Sequence, residues 1–321
     1  MTRPSSVPPP VTAVLDASSR WLPVRLGEVE DLLREQSGGH GELLGADTAA
    51  TLAAGGKRLR PLLVLLCAGA DSNAEAIRAA AAIELVHMAT LVHDDVLDDA
   101  PLRRGVPTVA ATAGRQRATA VGDLLFSRAF ALLAGHGDSR AISLLSTASV
   151  ALAEGELAQR QDAFDTGISE QRYLDRCRLK TATLFECACL MGRGVDALGA
   201  FGAGIGLAFQ LLDDVLDVSG PVERTGKARG TDLLDGTVTL PLIVGAEADP
   251  SLRRVDLRSL DPEAAERLCD RIAATGALDR VRARALEMVV AAKAQLDPAA
   301  FEAEQLQLLG LVADGVVQRY S

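Results

Sequence analysis

From Val11 onward, apolar residues recur at three- and four-residue spacing nearly to the end of the chain, in stretches dominated by Ala, Leu, Arg and Glu. That spacing marks one face of an α-helix, and those residue types favour helix. Period-two alternation is scarce, and no convincing strand is predicted. Residues 1–10 break the pattern, because MTRPSSVPPP holds four prolines and two serines and reads as a disordered tail. No long linker divides the rest, so residues 11–321 are expected to form one all-α domain, a single large helical bundle.

Two helices stand out. The first opens on Ser72-Asn73-Ala74-Glu75, which has the form of a capping box. Apolar Ile83, Leu85, Val86, Met88, Leu91 and Val92 follow, then Asp94, Asp95, Asp98 and Asp99, with Pro101 as the stop. At 1.5 Å per residue its length is roughly 40 Å. The second is expected from about Ala197 to Val218, ended by Gly220-Pro221. Gly202, Gly204 and Gly206 lie inside it. Each interior glycine costs up to about 1 kcal/mol, so close packing or a bend is predicted there.

Both helices end in the same pentapeptide, Asp-Asp-Val-Leu-Asp, at 94–98 and 213–217. Residues four apart share a helix face, so Asp94 with Asp98, and Asp213 with Asp217, form two carboxylate pincers. Like charges at that spacing destabilise a helix, and the negative end of the helix dipole adds to the cost. A bound cation would offset both, and Mg²⁺ suits paired carboxylates.

Composition narrows the chemistry. The 321-residue chain is 48% hydrophobic, enough for a sizeable core, and its net charge of −10 argues against a general nucleic-acid binder. Positive charge must therefore be local. The five cysteines show no metal-site spacing and read as thiols in a reducing cytoplasm. The start lacks a signal-peptide apolar segment, and the longest apolar run, Leu62–Ala70, falls short of a membrane span. A soluble cytoplasmic protein with no membrane span is expected.

Three basic clusters lie near the aspartates. Gly55-Gly56-Lys57-Arg58-Leu59-Arg60-Pro61 puts Lys57 and Arg60 at a helix start, electrostatically wrong unless an anion is bound. Arg103-Arg104 suits either salt bridges to the aspartates or a bidentate grip on phosphate. Lys180-Thr181 and Lys227 form the third. His87 lies seven residues before Asp94, and Gln210 three before Asp213, each on the face of its pincer. Two acidic motifs with several cations imply a phosphorylated small ligand held through Mg²⁺. No nucleotide-binding Gly-rich loop or kinase signature is present, so the ligand is not read as a nucleoside triphosphate.

Taken together, GGKRLRP (55–61), HDDVLDDAPLRRGVPT (93–108), GD (122–123), KTATLF (180–185), FQLLDDVLD (209–217) and GKARGTDLLDGTVTLP (226–241) resemble the trans-polyprenyl diphosphate synthases, in order and in spacing. The resemblance implies an all-α bundle around a central cavity and condensation of isopentenyl diphosphate with an allylic diphosphate. Asp94, Asp95, Asp98, Asp213, Asp214 and Asp217 would hold about three Mg²⁺ ions on the allylic diphosphate. Arg103 and Lys180 would contact that diphosphate, with Thr181, Gln210 and Lys227 nearby. Lys57, Arg60, His87 and Arg104 would bind isopentenyl diphosphate. Many relatives carry lysine where this chain has Thr237, so one diphosphate contact is absent.

The family's product tail would grow along the first helix, past Ala89 and Thr90 and then Val86 and Ile83. All four are non-aromatic, and aromatic residues make up 3% of the chain, so the resemblance is to long-chain synthases making C30–C50 products. An aromatic residue at Ala89 or Thr90 is expected to shorten the product. Geranylgeranyl or farnesyl diphosphate synthesis, or a place as one subunit of a two-component synthase, is the alternative. A homodimer is implied by the resemblance.

Overall fold

The computed structural model describes residues 9–18, 21–38, 41–53, 55–56, 58–103, 105–220 and 229–318. Of the expected tail, residues 1–8 lie outside the described residues, and Pro9 already opens helix α1 (Pro9–Ala17). Proline tolerates a first helical turn because its missing N–H would have no intrahelical partner there. The chain continues through α2 (Trp21–Ser37), α3 (Gly41–Ala53), α4 (Leu59–Ala68) and α5 (Ala74–Leu97). After a short hairpin come α6 (Val109–Ala113), α7 (Arg115–Ala134), α8 (Ser139–Gln161) and α9 (Glu170–Cys177). A π-helical turn (Arg178–Ala182) joins α9 to α10 (Thr183–Gly192), and α11 spans Asp196–Ser219. Helices Leu240–Ala248, Pro262–Ala274, Ala277–Ala294 and Ala303–Gln318 follow.

The all-α expectation holds, with one small addition. Leu102 pairs with Pro107, and Arg103 with Val106, in a two-residue antiparallel ladder, β1 (Leu102–Arg103) with β2 (Val106–Pro107). Gly105 at φ 77 reverses the chain there, a conformation that glycine adopts without steric cost. The run is too short for alternation to signal it.

The described chain forms two compact units. The first comprises Met1–Ser149, Cys187–Gly199 and Asp297–Val312. The second comprises Val150–Glu186, Ala200–Leu296 and Ala313–Ser321. Each unit carries one of the aspartate motifs.

In the first unit α5 is the central rod, packed against α7, α4 and α2. It is buried on every side, from Ala79 through Val86 to Val92, as expected of a helix that is apolar all round. Its cap differs from the sequence reading. Asn73, not Ser72, caps it, and the Asn73 side chain accepts from the amides of Glu75 and Ala76. The Gln305 amide donates to the carbonyls of Leu66 and Cys67, satisfying orphan acceptors at the end of α4.

In the second unit the interior glycines of α11 show close packing. A Cβ on Gly206 would lie 2.9 Å from Ala182 and Phe185, and one on Gly204 2.8 Å from Ala292. Tyr173, Phe185 and Phe201 are the large buried side chains here. The five cysteines are all buried, and none is in a disulfide. Among the described residues, α5, α8 and α11 are long and apolar enough to cross a membrane by length and composition. Isolated polar residues interrupt each of these helices, so none stands out in the sequence as one long apolar run. In α5 and α11, 67% of the most apolar stretch is buried within the protein, against 22% in α8.

Candidate active site

The end of α5 sorts its aspartates by environment. Asp94 is half-buried and Asp98 exposed, one helical turn apart. Asp98 closes the helix, its amide donating to the Asp94 carbonyl at 2.9 Å. Asp95 is buried and points elsewhere, its carboxylate accepting from Arg103 Nε at 2.8 Å. For Arg103, then, the salt-bridge alternative is the arrangement seen. The hairpin aims it, and Thr108 secures the hairpin by donating to the Ala100 carbonyl at 2.7 Å while capping α6. Arg104 and Lys57 lie outside the described residues.

Gly122-Asp123 has a clear local function. His93 immediately precedes Asp94, and its ring lies against Gly122, in space a Cβ would fill. The ring stacks on Phe126 with centroids 6.0 Å apart, and Nε2 lies 3.4 Å from the Asp123 carboxylate. Histidine and glycine thus lock the end of α5 onto α7.

Beside this lies a small cleft lined by Glu84, His87, Leu91 and Asp95 of α5 together with Arg58 and Arg103. His87 is half-buried and reaches it; Arg60, in the first turn of α4, is half-buried. Along α5, Ile83, Val86 and Ala89 are fully buried. Thr90 is half-buried and donates to the His87 carbonyl at 2.8 Å.

The second motif is sorted in the same way. Asp213 is exposed, Asp217 half-buried and Asp214 buried. The two oxygens of Asp214 accept from Tyr173 OH at 2.5 Å and Gln210 Nε2 at 2.8 Å. Thr181 donates to the other end of the Gln210 amide at 2.7 Å. Burial, with the charges of Asp232 and Asp213, pushes Asp214 up to about 8 against the pull of those two hydrogen bonds. Burial and the Asp214 charge raise Tyr173 well above its ordinary value, keeping it a proton donor.

Lys180 and Thr181 sit in the π-helical turn, a distortion often found at functional sites. Lys180 Nζ bonds Glu156 at 2.5 Å. Burial alone would raise Glu156, but the charge and hydrogen bond of Lys180, helped by Arg160, lower it. Gly155 makes this approach feasible, since a Cβ there would meet the Lys180 backbone at 2.6 Å. Lys227 lies outside the described residues. The Thr237 amide donates to the Asp232 carbonyl at 2.7 Å, and buried Arg176 donates to the Val238 carbonyl at 2.6 Å.

Sequence reasoning missed Tyr173, Arg176, Glu156, Arg58 and Glu84. Tyr173 stands among polar residues, Gln171-Arg172-Tyr173-Leu174-Asp175-Arg176, so nothing in its local sequence marks it; only its burial against Asp214 does. Tyr173→Phe should lower stability by about 1–3 kcal/mol, because it removes one donor from a carboxylate that water does not reach. Chemical denaturation with an unchanged midpoint would show that the hydroxyl does not hold Asp214.

Among the described residues, no three His, Cys, Asp or Glu side chains gather as a ready-made metal cage. Mg²⁺ does not require one, since it keeps several waters and takes one or two carboxylates alongside substrate phosphates. The outer aspartates of each motif supply such a pair of hard oxygen donors at a solvent-accessible helix end. The middle aspartates are turned inward, Asp95 toward Arg103 and Asp214 toward Tyr173 and Gln210. The donor set therefore fits Mg²⁺.

The Polyprenyl synthetase family model matches residues 42–272. The chain is 40% identical over 239 residues to heptaprenyl diphosphate synthase component 2 of Geobacillus stearothermophilus, covering 71% of this chain and 75% of that one. The fold matches a polyprenyl synthase from Caulobacter crescentus, crystallised with calcium and isoprenyl diphosphate, at TM-score 0.88 and 34% identity over the whole of both chains. It also matches a decaprenyl diphosphate synthase from Rhodobacter capsulatus at TM-score 0.86 and 32% identity, over 97% of this chain and 99% of that one.

Proposed function

The chain belongs to the polyprenyl synthetase family of prenyltransferases, and on that premise we propose that it condenses isopentenyl diphosphate with an allylic diphosphate into an all-trans product of C30–C50. The observation that carries the reading is the sorting of the two Asp-Asp-Val-Leu-Asp motifs, with outer carboxylates accessible and middle ones locked inward. Asp94 with Asp98, and Asp213 with Asp217, hold Mg²⁺; Asp95 and Asp214 hold the helix ends in place.

Bound Mg²⁺ supplies charge neutralisation and Lewis acidity at the departing diphosphate. Lys180, fixed by Glu156, presents a cation to that diphosphate. Thr181 and Gln210 keep Asp214 from turning outward. Arg60 and His87 bind isopentenyl diphosphate, with Lys57 and Arg104 completing the set. The condensation needs no side-chain base, because the released diphosphate takes the proton. Along α5, the non-aromatic Thr90, Ala89, Val86 and Ile83 leave a long tail unobstructed. Five buried cysteines outside any disulfide suit the reducing cytoplasm of this proposal, and a homodimer completes it.

A second reading has one observation behind it: the Geobacillus relative is named as component 2 of its enzyme. On that reading this chain is the catalytic subunit and needs a partner. Incubating the purified single chain with isopentenyl and farnesyl diphosphates and Mg²⁺, followed by product chromatography, separates the two. The proposal expects C30–C50 alcohols after dephosphorylation. A product that stops at C20 places the chain among short-chain synthases, and no product from the chain alone supports the two-subunit reading.

A further inference from the structure

We infer that Arg58 is a positioning residue for the isopentenyl diphosphate site, holding Arg60 and His87 in place while its own charge is taken up by two carboxylates. The inference rests on the function proposed above. Arg58 stands among the basic residues of Gly55–Pro61, where charge alone would make it a third phosphate ligand. The structure gives it other partners. Its Nε bonds Glu30 at 2.5 Å and its Nη1 bonds Glu84 at 2.9 Å, while Nη2 donates to the Leu52 carbonyl at 3.3 Å. One side chain thereby ties α2, α3 and α5 to the start of α4.

Its backbone is equally specific. Arg58 has φ 47 and ψ 35, the left-handed region that a residue with a Cβ seldom adopts. Its carbonyl accepts the first hydrogen bond of α4, from the Leu62 amide at 2.9 Å. Arg60 lies two residues on, so the direction of Arg60 depends on this unusual turn. On the other side, Glu84 precedes His87 by three residues on α5, one helical turn.

The Glu84 side chain is 4% exposed, and that decides the role. A phosphate drawing Arg58 away would leave this carboxylate buried without its cation, a strongly unfavourable arrangement. Arg58 therefore does not bind the anion, and strain at its backbone is sustained by the ion pairs of its side chain.

The test uses the full chain with Arg58→Gln/Glu84→Gln, which removes both buried charges together, and Arg60→Gln as the direct-contact reference. Isopentenyl diphosphate binding is measured by calorimetry without allylic substrate, alongside KM for each substrate. The double variant should weaken isopentenyl diphosphate binding about tenfold, with a smaller change in allylic KM and in kcat. Arg58→Lys, a point charge that cannot fork between two carboxylates, should fall between, and serves alone if the double variant does not fold. Unchanged isopentenyl diphosphate binding beside a lowered melting temperature would make Arg58 a stability residue only. Equal losses for both substrates overturn the inference as well. If Arg60→Gln also binds isopentenyl diphosphate normally, the site assignment itself fails.

Discussion

Asp213→Ala and Asp94→Ala should each lower turnover by about 10²–10³-fold, the scale of losing one preorganised group that stabilises transition-state charge, while leaving the fold as stable as before. The two halves of that expectation come from different physics. Asp213 is exposed and Asp94 half-buried, each one helical turn from a second carboxylate at a helix end. Removing either relieves a like-charge repulsion worth a few tenths of a kcal/mol and introduces the best helix former. Stability should therefore hold or rise slightly as activity falls. Asp214→Ala is the contrast, because it strands the Tyr173 hydroxyl and the Gln210 amide in a dry site and should destabilise. Thermal melting and single-turnover rates across Mg²⁺ concentration read both halves. Near-normal rates for either outer variant would remove that residue from the metal site.

Thr90→Phe should shift the product to shorter chains with turnover largely kept. The helix geometry of α5 chooses Thr90 over Ala89 for this role. Thr90 lies four residues before Asp94, and Val86 four before Thr90, so all three share one stripe. Ala89 lies four before His93, which is locked onto α7. Ala89 is also fully buried, whereas Thr90 retains exposure. A phenyl ring at 89 is expected to shorten the product too, but from a fully buried position that it should overpack, at a cost of about 1–3 kcal/mol. Chromatography of products from both variants, with melting curves, decides. If Ala89→Phe shortens the product without loss of stability and Thr90→Phe does nothing, the tail runs on the α7 side.

Much of this molecule is legible in its sequence. Apolar spacing of three and four is a local property, so α5 and α11 fall close to where the pattern puts them, at Ala74–Leu97 and Asp196–Ser219. The repeated pentapeptide likewise identifies the outer carboxylate pairs, because a four-residue interval fixes a shared face whatever surrounds it. Sequence also marked Gly204 and Gly206 as points of close approach, though not their partners.

The tertiary structure decided which carboxylate of each motif turns inward, since that depends on how partners are placed in space: Arg103, eight positions on and aimed by the hairpin, for Asp95, and Tyr173, 41 positions away, for Asp214. It gave Arg58 two carboxylate partners, Glu30 and Glu84, 28 and 26 positions off. It also moved the cap of α5 from Ser72 to Asn73, a choice set by backbone angles rather than by residue type. Periodicity determines faces; burial and partnership arise only when segments pack, and that packing divides the charged residues of each motif into those left accessible and those buried against a partner.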